Sequence, residues 1–236
     1  MHFQLKYFWQ YTLKLLPYIR VTIEYVIVAL LLGFLIGFVL TIFKVGKNPV
    51  LKAIGNIYTA IFRSIPPVVL LFLVYYGLPI FVHVDSQNRL FYVCVTLTLL
   101  SSAMISEIMR SAYNSVPKGQ YEAAVTVGLT PFQAIRRIVL PQALNDALPN
   151  LSTIIIGLLK DGSLAFTIGL IDVFGKANTL NNVTFSKYVL EIYLSLTLIY
   201  WIAAFIIEQI AAAVEAKVSN KKNIKKINEN YKEADR

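Results

Sequence analysis

Residues 21–43 read VTIEYVIVALLLGFLIGFVLTIF, and the only charged residue in this stretch is Glu24. A bilayer core about 30 Å thick is crossed by roughly 20 apolar residues in a helix. Hydrocarbon offers no hydrogen-bond partner, so the backbone of such a segment has to pair with itself, which favours a helix over an open strand. The stretch therefore predicts a membrane-spanning helix.

Four further segments on the carboxyl side are apolar enough to cross as well: residues 57–82, 90–112, 151–170 and 188–213. The whole chain is 57% hydrophobic and 15% charged, against about 25% charged residues in soluble domains. Its mean hydropathy is +0.63. The predicted fold class is all-α, a polytopic bundle of about five transmembrane helices.

The basic residues predict the orientation of the bundle. Of the 22 Lys and Arg residues, fifteen lie on one side of the predicted spans, six on the other and Lys160 within a span. Cytoplasmic loops carry the excess of positive charge. We therefore expect residues 1–20 outside the cell, and the loop 113–150 and the basic tail 214–236 in the cytoplasm. We expect no cleaved signal peptide, and little fixed structure in the tail.

The net charge of +9 does not predict nucleic-acid binding. The basic residues lie between the apolar segments and in the tail, and they do not form a stripe interleaved with aromatic residues. Positive charge in this arrangement is typical of membrane topology.

The predicted cytoplasmic loop contains the signals of two short helices. Residues 119–127 tolerate a helix, and Gly128 follows as a left-handed terminator. Thr130 then provides a cap, Pro131 suits the first helical position, and Gln133 completes a capping box. We expect the second helix to end before Pro141. These local signals leave two interpretations of the loop open: an ordered connector between two spans, or a stiff element that contacts a partner.

The motifs of this loop resemble the EAA loop of ABC importer permeases. Glu122-Ala123-Ala124 is followed by Gly128 and then by Leu140-Pro141. The flanking segments Glu107-Ile108-Met109-Arg110, Val116-Pro117-Lys118-Gly119-Gln120 and Leu140-Pro141-Gln142-Ala143 look like the polar amino-acid branch of that family. The resemblance covers residues 63–172.

The resemblance implies a type I ABC importer permease fold in a bacterial cell membrane, with a cytoplasmic coupling helix. The implied partners are two copies of an ABC ATPase, an extracytoplasmic solute-binding protein and a second permease copy, either identical or related. ATP and Mg²⁺ would be bound by the ATPase, so no cofactor is expected in this chain. Membrane lipid and the amino-acid substrate are the other expected partners. The residues assigned to ATPase coupling are Glu122, Ala123, Ala124, Gly128 and Arg136.

Charged residues at membrane depth mark a possible transport pathway. Lys160 and Asp161 are followed by Gly162 and Ser163 in the middle of a predicted span, and intramembrane charges are expensive unless they have a function. This stretch also resembles the family's Lys-Asp-Thr-Ser-Leu motif, with Gly162 in place of the usual Thr. Two interpretations stay open: a substrate path or gate, and an ion pair that holds two helices together.

The start of the second predicted span contributes further pathway candidates. It reads Arg63-Ser64-Ile65-Pro66-Pro67, where the family pattern is Arg-Gly-Thr-Pro followed by a Gln at the position of Leu70. Prolines at this depth kink a helix and free backbone carbonyls. Arg63 has several possible roles: pairing with Glu107 or with Asp161, meeting a substrate carboxylate, or snorkelling to the interface. The candidates from these two motifs are Arg63, Ser64, Pro66, Glu107, Lys160, Asp161 and Ser163.

No motif of catalysis or of nucleotide binding occurs in the sequence. It has no phosphate-binding Gly-x-x-x-x-Gly-Lys-Ser/Thr run, and one cysteine, Cys94, and two histidines, His2 and His83, predict no metal site. We therefore expect a transport subunit that is not an enzyme. It would move a polar amino acid inward by alternating access. The alternatives are a stand-alone secondary transporter or channel for a small polar solute, and a membrane scaffold without transport.

Overall fold

A computed structural model describes residues 3–82 and 84–234, with side chains described as far as Lys217. All regular structure in these ranges is helical, as predicted. The α-helices are α1 Leu5–Leu15, α2 Ile19–Val45, α3 Pro49–Ser64, α4 Pro67–Phe72, α5 Leu78–Phe81, α6 Arg89–Ser115, α7 Lys118–Thr126, α8 Pro131–Ala134, α9 Leu140–Asp161, α10 Val173–Val183 and α11 Val189–Ala234.

The chain divides into two compact units. The first, here called the bundle unit, comprises Met1–Glu107 and Ile154–Phe205. The second, the loop unit, comprises Ile108–Thr153 and Ile206–Arg236.

Four helical runs in the described residues are long and apolar enough to cross a membrane. They are Leu5–Val45, Arg89–Ser115, Pro131–Ile168 and Val189–Lys217, and a fifth crossing results if the bent pair Pro49–Ser64 and Pro67–Phe81 is one span. The number agrees with the prediction of about five. The runs Leu5–Val45 and Pro131–Ile168 are much longer than the predicted spans 21–43 and 151–170, because their helices extend well beyond the apolar stretches.

The second predicted span, residues 57–82, is not one straight helix. Its two helical parts meet at an angle of 106°. Ile65 is extended, with φ −82° and ψ 127°, because Pro66 disfavours the helical conformation for the residue before it. Pro67 then starts α4. The sequence predicted a kink at these prolines, and the structure has a complete break.

Helices α2 and α6 pack closely in the bundle unit. A Cβ on Gly33 would overlap the Ser101 side chain, and a Cβ on Gly37 would lie 2.9 Å from the Ser102 carbonyl oxygen. The Ser101 hydroxyl donates to the Ala29 carbonyl at 2.9 Å. Small residues four apart let helix backbones approach closely in a membrane.

A buried cluster joins α1 to α10 and α11 in the same unit. Its members are Tyr11, Leu15, Val173, Ala177, Ile192, Leu196 and Ile199. Two backbone contacts reinforce the cluster: the Gln4 N–H donates to the Glu191 carboxylate at 3.0 Å, and the Ser195 hydroxyl donates to the Phe8 carbonyl at 2.8 Å. The amino-terminal segment is therefore a docked helix.

Helix α11 continues through the tail as far as Ala234, where the sequence predicted little fixed structure from Lys217 onward. No Gly or Pro interrupts the sequence between Lys217 and Ala234. Extending an existing helix adds one hydrogen bond per residue without a new nucleus, which favours continuation of α11.

Gly37 provides a test of the α2–α6 packing. We expect Gly37→Ala to destabilise the chain by about 1–3 kcal/mol, because the added methyl group would press on the Ser102 backbone. The measurement is the midpoint of thermal unfolding of the purified protein in detergent. Gly77→Ala is the matched control, since a Cβ there meets nothing within 4 Å. Equal midpoints for the two variants would contradict the packing argument.

Candidate functional site

The loop unit contains the predicted turn between two helices. Helix α7 ends in a Schellman motif, in which the Leu129 N–H donates to the Ala124 carbonyl at 3.1 Å and the Gly128 N–H to the Val125 carbonyl at 3.0 Å. Gly128 has φ +92°, which is the left-handed conformation that glycine favours. The predicted role of Gly128 in the turn is confirmed.

The predicted capping box at the start of α8 is also present. The Gln133 N–H donates to the Thr130 hydroxyl at 3.3 Å, and the Thr130 N–H donates to the Gln133 side-chain oxygen at 3.0 Å. Pro131 occupies the first helical turn. Both ends of the turn are thus held by local hydrogen bonds, so the loop is stiff where it reverses direction.

The second short helix does not end before Pro141, and this prediction is wrong. A π-helical turn, Ile135–Val139, joins α8 to α9 without a break. In this turn the Leu140 N–H donates to the Ile135 carbonyl, five residues back. The wider turn shifts the hydrogen-bond register just before Pro141, which has no N–H to donate. The same arrangement occurs in the bundle unit, where the π-turn Leu73–Gly77 precedes Pro79.

Helix α7, the capped turn, α8 and the π-helical turn together are here called the hairpin, residues 118–139. Its outer surface carries most of the predicted coupling residues. Glu122, Ala123, Gly128 and Arg136 are exposed, whereas Ala124 is buried. Two apolar side chains that we had not predicted share the surface: Val127 is 79% exposed and Phe132 is 70% exposed. The sequence signal for these two residues was their position on either side of the capped turn. The structure shows that neither belongs to the small apolar core of the loop unit.

The core beneath the hairpin belongs to the loop unit alone. Its buried members are Ala112, Val116, Val139, Ala143 and Ala147. The Ser115 hydroxyl also donates to the Asp146 carboxylate, which ties the end of α6 to α9. Beside α7 lies an open cleft of ≈ 250 Å³, lined by residues that include Tyr113, Lys118, Tyr121 and Glu122.

In the bundle unit Glu107 is the centre of a charge cluster. Lys44 Nζ lies 2.7 Å from one Glu107 carboxylate oxygen, and Arg63 Nη1 lies 4.0 Å from the other. The Lys44 side chain is completely buried. The structure thus places Arg63 beside Glu107, which is one of the roles predicted for Arg63. Nothing in the sequence marks Lys44 as the partner of Glu107, because its position beside the first span predicts only the topology.

The second predicted pathway motif, Lys160 to Ser163, lies where the type of helix changes. Helix α9 ends at Asp161, and a tighter 3₁₀ segment runs over Gly162–Ile168. Lys160 is exposed on the surface of the single chain, while Asp161 and Ser163 are half-buried, and the Ser163 hydroxyl donates to the Lys160 carbonyl at 2.6 Å. Within the described residues neither Lys160 nor Asp161 has an ion-pair partner on another helix.

A small, partly open cavity is lined by residues of both pathway motifs. Its lining includes Pro67 from the broken second span and Asp161 and Gly162 from the end of α9. The other predicted residues of the second span, Arg63, Ser64 and Pro66, lie on the surface of the chain. The Ser64 hydroxyl donates to the Ala60 carbonyl of its own helix at 2.7 Å.

Asp172 is a buried carboxylate that is not among the predicted site residues. It accepts a hydrogen bond from the Tyr25 hydroxyl at 3.0 Å and one from the Gly175 N–H at 2.8 Å. Burial raises the pKa of the Asp172 carboxyl, and these hydrogen bonds oppose the rise. Tyr25 also fills the space at Gly162, where a Cβ would overlap its ring. The Gly that departs from the family's Thr is thus explained by a neighbouring tyrosine.

Residues 10–220 match the sequence model of a family described as binding-protein-dependent transport system inner membrane component. The chain belongs to this family. It is 39% identical over 214 residues to the L-cystine transport system permease protein TcyL of Bacillus subtilis (strain 168), covering 89% of this chain and 88% of that protein. It is 33% identical to a putative glutamine transport system permease protein of Rickettsia typhi, covering 91% and 98%.

Solved structures agree with this family assignment. A crystal structure of an amino acid ABC transporter with histidines matches with a TM-score of 0.81 and 27% identity, covering 92% of this chain and 100% of that chain. The MetNI methionine ABC transporter in an inward-facing conformation matches in fold, with a TM-score of 0.66 at 22% identity. As a member of this family, the chain is a multi-pass membrane protein.

His2 and His83 lie outside the described residues.

Gly128 provides a test of the turn in the loop unit. We expect Gly128→Ala to cost roughly 1–2 kcal/mol, because a side chain in the left-handed conformation clashes with the backbone. The measurement is the thermal unfolding midpoint in detergent. Gly119→Ala is the matched control in the same loop, because it lies in α7 and its Cβ meets nothing within 4 Å. A loss of stability in the control alone would contradict this account of the turn.

Proposed function

We propose that the chain is the membrane-spanning subunit of an ATP-driven importer for a polar amino acid. Family membership supports an inner-membrane transport component fed by a binding protein. The amino-acid cargo is supported by the names of the relatives, which are cystine, glutamine and amino-acid permeases. Cystine or another polar amino acid is the substrate class that we infer.

The capped hairpin of the loop unit carries the proposal that a separate ATPase drives this chain. Its outer surface combines the apolar Val127 and Phe132 with the charged Glu122 and Arg136. Apolar side chains surrounded by polar groups are typical of protein interfaces. A stiff surface is also what transmission of a rigid-body movement requires. We infer that two ATPase copies dock here, and that they bind the ATP and Mg²⁺.

The pathway residues support a second permease copy. Lys160, Arg63 and Ser64 are exposed on the surface of one chain, and charges at membrane depth face a water-filled cavity or another chain rather than lipid. A second copy, identical or related, would close this surface into a shared pathway. Lys160 and Asp161 would then offer one charge of each sign to an amino-acid zwitterion.

The proposed docking of an ATPase on the hairpin also implies an orientation of the chain in the membrane. To meet an ATPase the hairpin would face the cytoplasm. The amino terminus would then lie outside and the tail inside, which is also what the distribution of basic residues predicts. An extracytoplasmic binding protein would deliver the amino acid, and closure of the ATPase pair would turn the pathway outward to accept it.

A charge reversal tests the coupling. We expect Glu122→Arg to lower uptake per ATP hydrolysed on the order of tenfold in proteoliposomes that contain permease, ATPase and binding protein, a change equivalent to about 1.4 kcal/mol. The reason is a repulsive charge on the docking surface, while insertion into the membrane stays normal. Lys47→Glu is the control, because this exposed residue lies in the turn between α2 and α3, on the same predicted side.

Unchanged coupling in Glu122→Arg would contradict the docking surface. Uptake by the purified chain without any ATPase would instead favour a stand-alone secondary transporter or channel.

A substitution in the pathway tests the substrate class. We expect Asp161→Asn to weaken uptake of the amino acid that the wild type prefers while ATP hydrolysis continues, because the variant loses the charge that would meet the ammonium group. The preferred amino acid is found by competition of labelled uptake with a panel that includes cystine and glutamine. Normal uptake of every panel member by the variant would remove Asp161 from the pathway.

A further inference from the structure

Helix α1 has three distinct faces, and the first of them holds it in the bundle unit. Tyr11 and Leu15 are buried against α10 and α11, with Tyr7 packed beside them. The Tyr7 and Tyr188 rings lie 4.3 Å apart between centroids. This side of the helix is therefore occupied by the protein itself, and its other two faces point away from that contact.

The second face of α1 is an exposed apolar stripe. Its residues are Leu5, Trp9 and Leu13 of α1 and Leu16 of the 3₁₀ turn Leu16–Tyr18 that follows, and they are 61%, 54%, 69% and 50% exposed. Spacings of four, four and three residues place them on one side of a helix. Four large apolar side chains in a row exceed the scattered exposure that is normal for a surface, so this stripe requires a partner.

The third face is a polar strip that lies between the other two. It consists of Lys6, Gln10 and Lys14, each four residues from the next and all exposed. Lys14 Nζ lies 5.4 Å from the centre of the Tyr11 ring. The sequence has no acidic residue before Glu24, so this strip carries only positive charge.

The apolar stripe continues along α2 at the same spacing. The exposed residues of α2 on this line are Ile23, Ile27, Leu31, Phe34, Phe38 and Ile42. Arg20 is the one charged residue on the line, and it forms an exposed pair with Glu24 at 3.0 Å. In a membrane-spanning helix an outward apolar face contacts lipid. The stripe of α1 is a direct extension of that face.

The length of the helical run excludes a single crossing for all of it. The run Leu5–Val45 has 41 residues, which extend about 60 Å at about 1.5 Å per residue. The hydrocarbon core is only about 30 Å thick. Because α2 alone is long enough to cross, α1 is not needed for the crossing and continues it on the amino-terminal side.

We propose that α1 is a membrane-surface anchor, with its apolar stripe buried in phospholipid and Lys6 and Lys14 at anionic headgroups. Continuity with the lipid-facing side of α2 favours lipid over a second copy of this chain or a binding protein. A purely basic strip beside an apolar stripe, with an aromatic residue at the interface, is the pattern of interfacial helices. The anchor does not depend on which solute is transported.

Tryptophan fluorescence tests this proposal, because the chain has only two tryptophans, Trp9 and Trp201. The full chain with its ATPase is placed in nanodiscs whose lipids are brominated near either the headgroup end or the methyl end of the acyl chains. In Trp201→Phe the signal comes from Trp9. In Trp9→Phe it comes from Trp201, which is 66% exposed within the apolar span of α11. The variant that lacks both tryptophans supplies the background of the partner chains.

We expect shallow bromines to quench Trp9 more strongly than deep bromines, since interfacial helices lie about 5–10 Å into the headgroup boundary. Trp201 should show the opposite order. Equal quenching of Trp9 at both depths would make α1 part of the crossing. Quenching by aqueous iodide alone would make it a surface for a soluble partner, and quenching by neither reagent would make it a protein interface. Each of these three results overturns the proposal.

The headgroup contact has its own test. We expect brominated phosphatidylglycerol to quench Trp9 more strongly than brominated phosphatidylcholine, because the basic strip attracts anionic lipid. The double variant Lys6→Gln, Lys14→Gln should abolish this difference and keep the depth order. If the two lipids quench Trp9 equally in the protein that retains Lys6 and Lys14, the assignment of these lysines to anionic headgroups is overturned.

Discussion

Hydrocarbon cannot pair with a backbone N–H or C=O group, and the structure of this chain follows from that constraint. At three irregularities in the apolar helices the chain stays helical. Pro79 and Pro141 each follow a π-helical turn, and Gly162 starts a 3₁₀ segment. Within the described residues, one candidate span breaks completely, at Ile65–Pro66, with a change of direction of 106°. Such a break is tolerated in a membrane protein where it is enclosed by protein or lines a cavity.

The same medium makes charge expensive, and the bundle unit contains two different solutions to that problem. At Glu107 the charge is neutralised inside the chain by the buried Lys44, with Arg63 nearby. At Lys160 the charge is left on the surface of the chain. The first arrangement holds helices together. The second is suited to a surface that meets water, a substrate or another chain, which is why we place the pathway there.

The loop unit depends on short-range hydrogen bonds more than on burial. Its turn is closed by the Schellman bonds at Gly128 and by the capping box at Thr130, and its apolar core is small, with alanines as the majority of its buried members. A turn built in this way keeps its shape while its outer side chains remain available. The exposed Val127 and Phe132 therefore do not have to contribute to folding.

The sequence by itself determined the features that depend on local chemistry. The apolar stretches, the left-handed Gly128 and the capping box were predicted because propensity, capping and hydropathy act over a few neighbouring residues. The family resemblance was carried by contiguous motifs and is confirmed. Only the tertiary structure decided that Lys44 neutralises Glu107, that Tyr25 fills the space at Gly162, and that α1 is docked on α10 and α11. Those contacts join residues 63, 137 and up to 187 positions apart, and such distances leave no periodic or local signal in a single sequence.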